Sequence, residues 1–66
     1  MFVFIRQAGF QTERDVREGQ DPQQVLDDML TAYNIRKTTK TPEGDQRGMM
    51  YTPFGKSRIV AGIRTK

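Results

Sequence analysis

Asp21-Pro22-Gln23-Gln24-Val25-Leu26-Asp27-Asp28-Met29-Leu30-Thr31-Ala32-Tyr33-Asn34 is the stretch that decides the fold of this 66-residue chain. Asp21 has the carboxylate of an N-cap, which accepts orphan backbone N–H groups. Pro22 at the first helical position gives up no needed donor, and Gln24 stands where a capping box closes. Val25, Leu26, Met29, Leu30 and Tyr33 fall on one stripe of a 3.6-residue period, leaving Asp27, Asp28 and Thr31 for the wet face. Asn34 tolerates the left-handed backbone that stops a helix. The spacing predicts one amphipathic helix of about three turns, and such a helix needs an apolar surface to lie on.

The flanking sequence supplies that surface as strands. Phe2-Val3-Phe4-Ile5-Arg6-Gln7 is aromatic and β-branched, and Phe2 and Phe4 alternate with Val3 and Ile5, so the strand is apolar on both faces and reads as central or covered. Residues 11–20 are polar apart from Val16 and read as a long loop. Beyond Ile35, a threonine-rich run guarded by lysines reads as an edge strand, with Pro42-Glu43-Gly44-Asp45 as the turn after it. Arg47–Thr52 reads as a second strand and Pro53-Phe54-Gly55 as a second turn. Ser57–Thr65 reads as a third strand, with Ile59, Ala61 and Ile63 alternating inward. The expected architecture is a small two-layer α+β fold, β-loop-α-β-β-β, with one helix packed on a mostly antiparallel four-stranded sheet. It forms a single domain over residues 1–66, with the strand order left open.

Composition narrows the chemistry. The chain has 11 Lys+Arg, 8 Asp+Glu and neither histidine, cysteine nor tryptophan. Disulfide frameworks and cysteine-based zinc sites are excluded, and no imidazole titrates near neutral pH. Ser57 is the sole serine and has no histidine partner, which excludes a hydrolytic triad. Gly55-Lys56-Ser57 resembles the tail of a phosphate-binding P-loop, but the motif's first glycine would fall at Met50 and the residues that follow read as strand rather than helix. Asp15, Asp21 and Asp28 offer carboxylate oxygens, yet hard cations want several converging ligands, and these three read as solvating charges. The expectation is a protein that is not an enzyme and uses no metal and no cofactor. The apolar opening run is broken by Arg6, too early for a signal-peptide core or a membrane span. A cytoplasmic protein without membrane contact, read from Met1 as a complete small frame, is expected.

Charge is distributed unevenly. Residues 1–35 sum to −3 and residues 36–66 to +6, an asymmetry that bears on partner sign. On the last strand, Lys56, Arg58, Val60, Gly62, Arg64 and Lys66 share the face opposite Ile59, Ala61 and Ile63. Arg36 and Lys40, or Lys37 on the other phase of the polar strand, extend that face, Tyr51 and Met49 offer stacking or packing groups, and Gly62 leaves room for another backbone to approach. These residues predict a non-catalytic binding module whose basic C-terminal sheet face docks nucleic acid, the machinery that handles it, or another acidic protein surface. The alternative is a small phage-type inhibitor or adaptor that binds and blocks one host protein. Glu13, Asp15, Glu18, Asp27 and Asp28 form the expected second, acidic docking patch.

Overall fold

A computed structural model describes residues 1–65 and consists of five strands and one helix. In chain order these are β1 (Phe2–Gln7), β2 (Phe10–Asp15), α1 (Pro22–Ala32), β3 (Ile35–Lys40), β4 (Gln46–Thr52) and β5 (Gly55–Arg64). The sheet order is β2-β1-β5-β4-β3, with every neighbouring pair antiparallel. The α+β class and the single helix match the expectation, but the sheet has five strands rather than four. The extra strand is β2, in the segment read as a loop. β1 turns back through Ala8 and Gly9 and pairs along its whole length with β2, from Phe2↔Asp15 to Gln7↔Phe10. Gly9 makes the tight turn possible at φ +95°, a region that L side chains rarely adopt. No side chain of β2 is fully buried, so backbone hydrogen bonds hold this edge strand and it carries no apolar alternation.

α1 begins as its sequence dictates. Asp21 caps it, its carboxylate accepting the Gln23 N–H at 3.3 Å, and Pro22 occupies the first turn. The capping box is not formed, because Gln24 turns forward and donates to Asp28 Oδ1 at 2.9 Å. Asn34 ends the helix at φ 56°. Its carbonyl accepts the Tyr51 N–H and its side-chain amide donates to the Tyr51 carbonyl, both at 3.1 Å, tying the helix exit to β4.

The core lies between α1 and one face of the sheet. Val25, Leu26, Met29 and Leu30 pack on Val3 and Ile5 of β1, Ile59 and Ala61 of β5 and Ile35 of β3, with Tyr33, Met50 and Ile63 partly buried at its margin. Among the described residues no polar or charged residue is buried. β1 is covered on both faces, since Phe4 is only 1% exposed although it points away from the helix.

Leu26 sits at the centre of this thin core, 1% exposed. Leu26→Ala is expected to cost about 2–5 kcal/mol. That is comparable with the whole stability of a chain this size, ~0.05–0.15 kcal/mol per residue. Urea unfolding followed by circular dichroism should show the midpoint fall sharply, or the cooperative transition disappear.

Candidate functional site

The sheet face away from α1 is built by register. Successive antiparallel pairings line up rows of side chains across the strands, about 4.8 Å apart between strands and ~6.8 Å apart along them. One row reads Arg6 (β1), Val60 (β5), Arg47 (β4) and Thr39 (β3). The next reads Arg58, Met49 and Arg36, and a third reads Lys56 and Tyr51. In the other direction Glu13, Phe4 and Gly62 form a row, followed by Asp15, Phe2 and Arg64.

The face divides into a sealed part and an open part. In the sealed part, Arg64 and Arg6 both lie over the Phe4 ring, with guanidinium carbons 4.9 and 5.0 Å from its centroid. Arg64 is pinned by a bidentate pair with Asp45, both N···O distances being 2.8 Å. A Cβ on Gly62 would stand 2.5 Å from Asp45 Oδ1 and 3.0 Å from Phe4 Cε1. The close approach that Gly62 allows is therefore filled from within the chain, by Asp45 and Phe4. Hydrogen bonding from Arg64 holds the Asp45 carboxyl below its ordinary value of 3.8, against a smaller opposing effect of burial, and the same bond raises the Arg64 guanidinium.

The open part is a groove of about 870 Å³ that crosses β5 and β4. The β1–β2 turn, Gln7-Ala8-Gly9, stands at one end, and β3 with Lys37 and Thr39 stands at the other. Met49 and Val60 contribute its apolar floor, Arg6, Arg47 and Arg58 surround them, and no Asp or Glu lines it. β3 carries a bulge here, since the register shifts between Arg36↔Met49 and Thr39↔Arg47, with Lys37 at φ 58°. Two β3 residues thus oppose Gly48 alone.

That bulge decides which of the expected residues meet. Arg36, Tyr51, Lys56, Arg58 and Arg64 all lie on the open face by register. Lys40 does not, because the bulge reverses the alternation after Arg36. Lys40 pairs with Gln46, whose side chain accepts from Gln23 of α1 at 3.2 Å on the helix side. Lys66 lies outside the described residues. Arg64 is on the face but is neutralised by Asp45. The residues missed are Arg6 and Arg47; Lys37, the alternative of the other strand phase, joins Arg36 on the groove side instead of replacing it. Alternation of Arg6 with Phe4, and of Arg47 with Met49 and Tyr51, is the signal that places Arg6 and Arg47, whereas Lys37 depends on the bulge.

The acidic residues do not form one patch. Glu13 and Asp15 border the open face on β2, while Asp27 and Asp28 accept hydrogen bonds from Gln23 and Gln24 on the helix at 2.9 Å each. Glu18 is exposed in the β2–α1 connection. Asp15, Asp21 and Asp28 are likewise apart, and no group of three or more His, Cys, Asp or Glu side chains among the described residues is placed to hold a metal ion. Gly55-Lys56-Ser57 opens β5 rather than a helix. Among the described residues, no helix is long and apolar enough to cross a membrane.

The β4–β5 hairpin runs on past both neighbouring strands, whose pairing ends at Arg6↔Val60 and begins at Ile35↔Met50. Its tip is braced by Thr52, whose hydroxyl accepts from the Phe54 N–H at 3.2 Å and donates to the Gly55 carbonyl at 3.0 Å. Phe54 at that tip is 99% exposed. No family model, curated protein or solved structure matches the chain.

The lowered Asp45 carboxyl makes a pH prediction with a definite sign. Its stabilising contribution is complete above the ordinary value of 3.8 and is lost as pH falls through the lowered value. The stability gap between the wild type and Asp45→Asn should therefore be fully open at neutral pH and shrink as pH falls below the ordinary value of 3.8. Parallel urea titrations measure it. A gap that stays constant with pH would show that the charge of Asp45 contributes nothing.

Proposed function

We propose that the open sheet face binds nucleic acid by tracking its phosphate backbone, and that the protein is a non-catalytic binding module. The observation that carries this reading is the cross-strand arrangement of Arg6, Arg47, Arg58, Arg36 and Lys56 on one face, around a groove with no carboxylate in its lining. Each cation that neutralises a phosphate releases condensed counterions, so such a face binds through a strongly salt-dependent term. Arg6 comes from the half of the chain that is acidic in sequence and joins the basic residues because β1 pairs with β5. The cationic surface is thus larger than the C-terminal half alone supplies. Tyr51, half-buried and fixed through its backbone to Asn34, stands beside Lys56 as a stacking group. Arg64 contributes less than its position suggests, because Asp45 already holds it.

A fluorescence-anisotropy titration with labelled oligonucleotides at several salt concentrations tests this. Binding should weaken steeply with salt. The double replacement Arg47→Ala/Arg58→Ala should lower affinity by roughly tenfold or more and flatten the salt slope by about 1.5, two phosphate contacts being lost. Both side chains are exposed, so the unfolding midpoint should hardly move. No binding at low salt, or a variant that binds as the wild type does, would remove the site and turn the reading toward a protein partner.

A further inference from the structure

We infer that the ligand of this face is single-stranded nucleic acid, laid across the strands along the groove with its bases against Met49 and Val60. The inference rests on the basic-face reading above and specifies its ligand. Two features of the groove set the choice, its pattern and its shape.

The pattern alternates charge with apolar surface. Val60 lies between Arg6 and Arg47 in one cross-strand row, and Met49 between Arg58 and Arg36 in the next. Both apolar side chains are only half-buried, so each offers apolar surface between two arginines. A duplex hides its base faces in the stack and presents phosphates on its outside, so an apolar floor between the cations would meet nothing suited to it. An unstacked strand offers both partners at once, phosphates for the cations and base faces for Met49, Val60 and the guanidinium planes. The lining carries few neutral hydrogen-bonding side chains, Gln7 and Thr39, which suits sequence-tolerant binding.

Shape leads to the same ligand. The groove is concave and of about 870 Å³, bounded by the β1–β2 turn and by Lys37 at the β3 bulge. A duplex is read by pushing a convex element, a helix or a two-stranded ribbon, into its major groove. The helix here lies on the far side of the sheet, contains no Lys or Arg, and exposes Asp27 and Asp28. Among the described residues, the ribbon that runs past both of its neighbouring strands is the β4–β5 hairpin. Docking it into a major groove would engage Lys56 and Tyr51 near its tip but leave Arg6, Arg47, Met49, Arg58 and Val60 behind in the groove.

The test compares an oligothymidylate of about ten nucleotides with the matching duplex at one ionic strength, on the wild type and on Met49→Trp. The chain has no tryptophan of its own, so the indole reports the groove floor alone. The single strand should bind at least about tenfold more tightly than the duplex and quench the indole emission by stacking. Equal or tighter binding of the duplex overturns the inference and leaves the phosphate-binding face standing. A single strand that binds without changing the emission of a folded Met49→Trp overturns it in the same way. Failure to bind either oligonucleotide at low salt removes both readings.

Discussion

The pairing of β1 with β5 in the centre of the sheet is the constraint on which the rest of the molecule depends. It joins the two ends of the described chain, from Phe2↔Arg64 to Arg6↔Val60, and closing so long a loop costs chain entropy that only buried surface repays. On the helix side the repayment is Val3 and Ile5 beside Ile63 and Ala61, covered by Leu26 and Met29. On the other side the same register sets Phe4 beside Gly62 and Arg6 beside Val60. Core and open face are therefore two products of one strand register. A slip of one residue would exchange them, because side chains alternate strictly.

Covering the open side of β1 without a second layer is solved by arginine. Long cationic side chains lay their stems and planar heads on apolar surface while keeping charge in water. Arg6 and Arg64 do this for Phe4, which is only 1% exposed on a face with no helix over it. Asp45 fixes one of the two in place, and Gly62 leaves the room that this packing needs. The consequence for function is a division of labour among cations of one face. Arg64 is committed to structure, Arg6 both covers Phe4 and borders the groove, and Arg47 and Arg58 line the groove itself.

An uncovered antiparallel sheet face is commonly polar, so cations alone do not mark a ligand site. The distribution of the cations here carries more. Carboxylates stand at the β2 edge and at Asp45, outside the groove, where Glu13 and Asp15 face Phe4 and Phe2 through β1. Inside it, arginines frame Val60 and Met49 row by row. Ordinary solvation does not require that segregation, whereas a polyanion with apolar base faces is complementary to it.

What was legible in the sequence was whatever depends on neighbours along the chain. The helix start at Asp21-Pro22, its stripe from Val25 to Tyr33, its end at Asn34 and the inward alternation of Ile59, Ala61 and Ile63 all follow from local capping and periodicity, and the structure keeps them. The basic row of β5 was legible for the same reason. Tertiary structure decided what depends on neighbours across the sheet. β2 is held through its backbone and has no apolar signature, so its polar residues look like a loop. The bulge at Lys37 sends Lys40 to the helix side, and no composition rule announces a one-residue insertion. Arg6 joins the basic face, and Arg64 is neutralised on it by Asp45, because strand order places residues distant in the chain within a few ångströms. Periodicity determines which way a side chain points; register, set by backbone hydrogen bonds common to every residue, determines what it meets.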